Sequence, residues 1–141
     1  MPEPRISVQQ KAVVKQRAKD CCEYCWSQEE YSPDTFSVEH IIPLAKGGTN
    51  EADNLANACQ RCNNHKYISI EAIDPLTGEI VSLYHPRQNR WSDHFAWNKD
   101  YTFMVGLTPT GRATVAKLEL NRKGVVNLRR LLQAWGLHPI E

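Results

Sequence analysis

The chain lacks any strong imbalance of charge and any long apolar run. Its 17 lysines and arginines nearly cancel its 16 aspartates and glutamates, which leaves a net charge of +1 over 141 residues. Total charge therefore favours neither a nucleic-acid partner nor an acidic one. No stretch approaches the roughly 18 apolar residues of a membrane span, and the first ten residues lack the apolar core of a secretory signal. We therefore expect a cytoplasmic protein with no membrane partner.

Cysteine is absent beyond position 62, which argues against a disulfide scaffold spread along the chain. Cys22 and Cys25 are separated by two residues, and so are Cys59 and Cys62. Two such turns can direct four sulfurs to one ion, and a tetrahedral shell of sulfurs suits Zn²⁺. We predict a structural zinc site at these four cysteines. A redox disulfide and two pairs of free buried thiols are the alternatives, and Cys21 is expected to be a small packed residue.

Hydrophobic periodicity and turn residues predict an α+β protein in two parts. A helix is predicted over residues 8–19 with Ser7 as its N-cap, followed by a strand at 35–41 and a helix at 59–73. The turn sequence at 74–78 marks the predicted boundary. Beyond it the prediction is a strand at 79–85, two strands within 94–108, and helices near 111–120 and 124–135. We expect residues 1–73 and 74–141 to pack together as one domain.

Two groups of side chains in the second part have competing interpretations. In the last helix, one predicted apolar face contains Val125, Leu128, Leu131, Leu132 and Trp135. The aromatic residues Trp91, Phe95 and Trp97 could stack on nucleic-acid bases. An aromatic cluster in a small sheet is more often core, and we predict core here.

A second polar constellation follows the predicted strand. Glu39 and His40 end that strand, a Gly47-Gly48 loop turns the chain, and Asn54 and Asn63 follow within 23 residues of His40. Carboxylate and amide oxygens are hard ligands that suit Mg²⁺ or Mn²⁺. A neighbouring imidazole can take a proton from water. If the strand, loop and helix close on one another, these side chains can face one cleft.

These residues occur in the order of a known motif. They are the acidic-His-Ile-x-Pro run at 39–43, the two loop glycines, Asn54-Leu55, the second cysteine pair, Asn63 and Lys66. The stretch resembles the HNH nuclease family, which has the ββα-metal fold, and the cysteine pair at 22–25 resembles its zinc-bearing branch. The resemblance covers about residues 15–70. The tail also looks like the C-terminal extension of a group of bacterial HNH proteins.

The resemblance implies a role for each matching residue. His40 matches the general base, and Glu39 matches the acidic ligand of a catalytic divalent ion. Asn54 matches the residue that holds the base histidine and its loop in position. Asn63 matches the third motif position, which binds the metal, and Lys66 matches a frequent lysine that can contact phosphate. The family's third letter is often His, whereas here it is Asn.

Three further residues are weaker candidates. His65 follows Asn63 by two positions, and on a helix the two side chains point about 200° apart, so His65 is the less favoured metal ligand. Arg129 and Arg130 belong to a basic stretch near the C-terminus that could contact a phosphate backbone, although a solvated helix face explains it equally well.

The sequence thus predicts a metal-dependent DNA endonuclease with structural zinc and a catalytic Mg²⁺ or Mn²⁺, which nicks or cuts both strands. The alternative is a catalytically inactive, zinc-stabilised module that binds nucleic acid or protein. A redox protein ranks last, because no βαβ unit accompanies the cysteine pairs. The C-terminal extension is a candidate surface for a homodimer or a partner protein.

Overall fold

The computed structural model describes residues 5–140. Within them the backbone forms five α-helices and three separate two-stranded antiparallel sheets. In chain order the elements are α1 (Val8–Arg17), β1 (Phe36–His40), β2 (Leu55–Cys59), α2 (Gln60–Lys66), β3 (Glu71–Ile73), β4 (Ile80–Ser82), α3 (Trp91–His94), β5 (Phe95–Trp97), β6 (Met104–Gly106), α4 (Pro109–Leu118) and α5 (Lys123–Ala134). The predicted α+β class is confirmed.

The first helix begins and ends with clear local signals. Ser7 and Gln10 form a capping box, in which the Ser7 hydroxyl accepts from the Gln10 backbone N–H and the Gln10 side chain accepts from the Ser7 N–H. The helix ends at Arg17, two residues before the predicted end. Lys19 and Asp20 have positive φ values of 54° and 56°. This left-handed turn directs the chain into the first cysteine pair.

The hairpin of β1 and β2 and the helix α2 form the predicted ββα unit. The two strands are antiparallel, with Glu39 opposite Ala56 and His40 opposite Leu55. All five residues of β2 are buried, so this strand lies inside the protein. Because α2 starts directly after Cys59, the hairpin fixes where that helix begins. The loop of residues 41–54 joins the strands.

The predicted helix at 59–73 is too long. The helix ends at Lys66, because Tyr67 has a φ of 50° and leaves the helical conformation. Residues 71–73 form β3 instead, which pairs with β4. Ile70 and Ile73 are β-branched and favour extended backbone. The turn at 74–78 closes this hairpin, so the predicted boundary between 73 and 74 falls between two paired strands.

The C-terminal part contains the predicted hairpin and the two predicted helices. β5 pairs with β6 across a turn that Asn98 stabilises by accepting from the backbone N–H groups of Thr102 and Phe103. In α5, the predicted apolar face is only partly buried. Leu131 and Trp135 are 63% and 80% exposed, whereas Arg129 is 2% exposed. The helix therefore turns the face that bears Arg129 inward.

One buried cluster joins the two predicted parts. It contains Tyr24 and Ile41 from the first part and Leu83, Phe95 and Leu118 from the second. The side chains of Trp91 and Trp97 are partly buried against this cluster, as expected for core aromatics. In the portion from 5 to 140, no helix combines the length and apolar character that crossing a membrane requires.

Candidate zinc site and catalytic cleft

The four predicted zinc ligands lie together at the junction of the two parts. The sulfurs of Cys22, Cys25, Cys59 and Cys62 lie within 4.8 Å of one another, and all four side chains are fully buried. None of the cysteines forms a disulfide. An enclosed set of four sulfurs at this separation fits Zn²⁺. Cys21 is outside the group, and its sulfur contacts the Lys19 carbonyl oxygen at 3.5 Å.

Local backbone geometry explains how the first cysteine pair points at the second. The Cys25 N–H donates to the Cys22 sulfur at 3.4 Å, and the Trp26 N–H donates to the Cys22 carbonyl at 2.9 Å. Trp26 then takes a positive φ of 64°. The Cys25 and Cys59 sulfurs are 3.7 Å apart. The knuckle at 22–25 is thereby fixed against the start of α2.

A surface cleft lies beside the cysteine site, at the end of β1. Glu39, His40 and Asn63 line it, together with Pro43 and Tyr67. The strand supplies the first two residues and α2 supplies Asn63. The ββα unit therefore brings three of the predicted catalytic and metal-binding residues to one surface depression.

Glu39 is held by two buried groups. The Tyr24 hydroxyl donates a hydrogen bond of 2.6 Å to Oε1, and the Lys66 ammonium lies 3.9 Å from Oε2. Burial raises the pKa of Glu39 above its ordinary value, and the charge of Lys66 and the Tyr24 hydrogen bond oppose this rise. Burial also raises the pKa of Tyr24 well above its ordinary value, so this hydroxyl remains a donor. The carboxylate keeps unused lone pairs for a cation.

His40 is oriented by a residue that the sequence did not single out. Its Nε2 lies 2.6 Å from Oδ1 of Asn50. An amide oxygen only accepts, so Nε2 carries the proton in this arrangement and Nδ1 is the basic nitrogen. The ring is half-buried. The pair leaves His40 with the tautomer that accepts a proton at Nδ1.

Asn54 fastens the loop that follows His40. Its Oδ1 accepts from the Ile42 N–H at 2.8 Å, and its amide donates to the carbonyls of Ile42 at 2.9 Å and Thr49 at 2.8 Å. The Asn54 carbonyl also accepts from the Ile41 N–H. Gly48 makes this closure possible, because a Cβ there would lie 1.8 Å from the Ile42 carbonyl oxygen. The loop is thus held at both ends by one asparagine.

Asn63 and His65 lie in different surroundings. Asn63 is half-buried in the cleft, and its side-chain amide has no hydrogen-bond partner between residues 5 and 140. His65 is 3.3 Å from Glu119, which is the C-terminal cap of α4. The two side chains point in different directions, as their spacing on a helix predicts. The structure therefore brings Asn63, and not His65, to the cleft of Glu39 and His40.

The family model described as HNH endonuclease matches residues 22–67. This span contains both cysteine pairs and every residue of the cleft motif. Residues 22–67 form an HNH domain. The chain is also similar to the type IV methyl-directed restriction enzyme EcoKMcrA of Escherichia coli (strain K12), at 27% identity over 84 residues. That match covers 57% of this chain and 28% of the enzyme, so the chain spans less than a third of its relative. No solved structure gives a significant match.

The residues predicted to contact DNA are not grouped around the HNH cleft. Lys66 is 1% exposed and donates to the Ile41 carbonyl at 2.7 Å, so its ammonium faces the interior beside Glu39. Arg129 is buried, and its bonds go to backbone carbonyls and to Asn121. A phosphate backbone cannot reach either group in this conformation, and this corrects both predictions. Arg130 is exposed on α5 and donates to Asn127.

Three residues important to the HNH domain were missed. Tyr24 lies between two zinc ligands, and its spacing gives no indication that it reaches Glu39, 15 residues later. Asn50 belongs to a turn-rich stretch whose asparagines have obvious backbone roles. Arg122 contacts the cysteine sulfurs from 60 or more residues beyond them. The only signal for Arg122 in the sequence is its positive charge, which belongs to the basic stretch near the C-terminus.

Proposed function

We propose that this protein is a metal-dependent DNA endonuclease that hydrolyses phosphodiester bonds, with His40 as the general base. The observation that carries the proposal is the meeting of His40, Glu39 and Asn63 in one cleft of an HNH domain. A zinc-stabilised binding module would need the cysteine site but would not need these three cleft residues.

The residues have complementary tasks. Glu39 and the unpartnered amide of Asn63 would hold the divalent ion, since both offer oxygen donors. The bound ion would supply positive charge that stabilises the scissile phosphate and its leaving oxygen. His40 would accept a proton from water at Nδ1 while Nε2 stays bonded to Asn50. The hydroxide so formed attacks phosphorus, and the bond from phosphorus to the leaving oxygen breaks.

Two other basic residues are better DNA candidates than those predicted from the sequence. His40 also lines another depression, distinct from the cleft that it shares with Glu39 and Asn63. The lining of this depression includes Arg5, Lys11 and Asn50 and contains no acidic residue. Gln10 ties α1 to this region by donating to the Asn50 carbonyl at 3.1 Å. Both cations are exposed, so they are available to phosphates on either side of the bond to be cut.

The salt dependence of DNA binding tests this surface. Replacing both cations, Arg5→Gln with Lys11→Gln, should reduce the slope of log K against log salt by about 0.9 per lost phosphate contact. Lys123→Gln with Arg130→Gln is the matched control, because it also removes two positive charges, here from exposed positions on α5. If the wild type binds DNA normally and the double variant has an unchanged slope, α1 is not part of the DNA-binding surface.

The nuclease assignment is tested by cleavage of supercoiled plasmid with His40→Ala and His65→Ala. Each of these variants removes one imidazole from the same small domain. His40→Ala should keep DNA binding and lose cleavage by a factor of about 10² to 10⁴, whereas His65→Ala should cut at nearly the wild-type rate. Because the curated relative is named as methyl-directed, plasmid from methylating and non-methylating hosts belongs in the assay. Equal cleavage by His40→Ala and the wild type would refute the role of His40.

A further inference from the structure

Two arginines of the C-terminal part lie against the cysteine site. Arg122 is the N-cap residue of α5, and its guanidinium reaches three of the four sulfurs. The nitrogen-to-sulfur distances are 3.4 Å to Cys59, 3.5 Å to Cys62 and 3.9 Å to Cys25. The same side chain donates to the carbonyls of Leu118 and Glu119 in the preceding turn. Its position is therefore fixed by the connection between α4 and α5.

Arg129 presents a buried positive charge that no carboxylate neutralises. The side chain is 2% exposed, and no ion pair found among residues 5–140 includes it. It donates to the carbonyls of Cys25, Leu120 and Thr102 at 2.7 to 3.0 Å. Its guanidinium also lies 5.0 Å above the Trp97 ring. A buried charge is costly unless an opposite charge compensates it.

The cysteine site can supply that opposite charge. Zinc binds cysteine as the thiolate, so a Zn²⁺ ion with four such ligands carries two net negative charges. Arg129 contacts the backbone of one ligand, Cys25, and Arg122 contacts the sulfurs of three. The two positive charges therefore match the two negative charges in number and in place.

We infer that Arg122 and Arg129 are the counter-cations of the zinc–thiolate cluster, and that the C-terminal part is the element that supplies them. Arg122 acts through N–H···S hydrogen bonds, and Arg129 acts through its charge and its bond to the Cys25 carbonyl. This role is independent of whether the HNH cleft cuts DNA. Zinc retention and the packing of α5 are then coupled, because each stabilises the other by the same free energy.

The test is zinc affinity by competition with a chromophoric chelator, using full-length protein. Arg122→Met should lower the apparent zinc affinity by about 10- to 100-fold, as loss of an outer-shell partner typically does. Arg122→Lys keeps the charge but presents one ammonium in place of the planar fork, so an intermediate affinity is expected. Arg130→Met removes the same charge from an exposed site on the same helix and should leave zinc affinity unchanged. Equal affinity in Arg122→Met and the wild type would overturn the inference.

A second measurement covers the case in which Arg122→Met does not fold. Hydrogen exchange of the wild type is followed while a chelator removes zinc in steps. The amides of α5 should lose protection over the same chelator range as those at 22–25 and 59–62. If α5 keeps its protection after zinc has left, the coupling does not exist. Neither measurement uses DNA cleavage, so a failed nuclease proposal would leave this result intact.

Discussion

The Tyr24 hydroxyl donates a hydrogen bond of 2.6 Å to Oε1 of Glu39. Tyr24 lies inside the first cysteine knuckle, and Glu39 lines the candidate catalytic cleft. This bond therefore joins the candidate zinc site to the candidate catalytic carboxylate. Any change that displaces the knuckle is expected to move Glu39 as well.

Tyr24→Phe removes this bond and keeps the ring. Without it, Oε1 of Glu39 loses a buried partner and the carboxylate loses its fixed orientation. We predict a decrease of about tenfold in divalent-ion affinity and a loss of roughly 1–3 kcal/mol of stability, with zinc content unchanged. Mn²⁺ titration of the DNA-free protein, with urea unfolding, measures both. Tyr31→Phe, at a 40% exposed position, is the control. Mn²⁺ affinity equal to the wild type in Tyr24→Phe would contradict a positioning role.

Asn50 is predicted to set the tautomer of His40. Asn50→Ala removes the acceptor at Nε2 and should reduce the cleavage rate by about 10- to 100-fold, while DNA affinity stays nearly constant. Asn50→Asp keeps an acceptor oxygen at the same position, so it should retain most of the activity. Single-turnover rates of the two variants decide the matter. Equal losses in both would indicate that Asn50 acts only by shaping the loop.

Gly48 is predicted to tolerate no side chain. In Gly48→Ala the new Cβ would overlap the Ile42 carbonyl oxygen, so the loop held by Asn54 must shift. We expect a loss of about 1–3 kcal/mol of stability and slower cleavage. Gly124→Ala is the control, since a Cβ at this helical site has no neighbour within 4 Å and should stabilise by about 0.5–1 kcal/mol. Urea midpoints of the two variants should therefore move in opposite directions.

The ion pair between buried Asp74 and partly exposed Arg112 is predicted to make stability depend on pH. Arg112 donates to both carboxylate oxygens of Asp74, at 3.0 and 2.8 Å, and lowers the pKa of Asp74 below its ordinary value. A lowered carboxyl pKa stabilises the fold above the unfolded value of about 3.9. That contribution is lost as the pH falls below this value towards the folded pKa.

Asp74→Asn provides the comparison. At pH 7 its urea midpoint should be below that of the wild type, and the gap should narrow as the pH falls below about 4. Asp53→Asn changes an exposed carboxylate and should follow the wild-type curve. Zinc content is counted in every sample, because acid also releases thiolate-bound zinc. A gap that stays constant down to pH 3 would exclude this pair as the titrating group.

Short-range chemistry in this chain was predictable. The spacing within the two cysteine pairs and the order of Glu39, His40 and Asn54 depend on one strand, one loop and one turn of helix. The capping box at Ser7 and the hairpin around Asn98 are likewise determined by nearby residues. These features follow from local geometry, so a linear pattern can reveal them.

Long-range relationships were not predictable. Arg129 looked like a surface cation because it is charged and belongs to a basic stretch of the sequence, whereas its burial depends on carbonyls from Cys25, Thr102 and Leu120. Helix α2 looked longer because residues 67–73 carry no proline or glycine, whereas pairing of β3 with β4 overrides helix propensity there. Tertiary contacts decide both cases.

The most direct test of the proposed function is plasmid nicking by the wild type, with one zinc per chain verified, in EDTA, Mg²⁺, Mn²⁺ and Ni²⁺. The oxygen donors of Glu39 and Asn63 favour hard ions. We predict no conversion in EDTA, conversion of supercoiled DNA in Mg²⁺ or Mn²⁺, and loss of that conversion in His40→Ala. Cleavage in Ni²⁺ with none in Mg²⁺ would contradict the proposed ligand set. No cleavage in any metal by folded, zinc-loaded protein would contradict the nuclease proposal and favour a binding module.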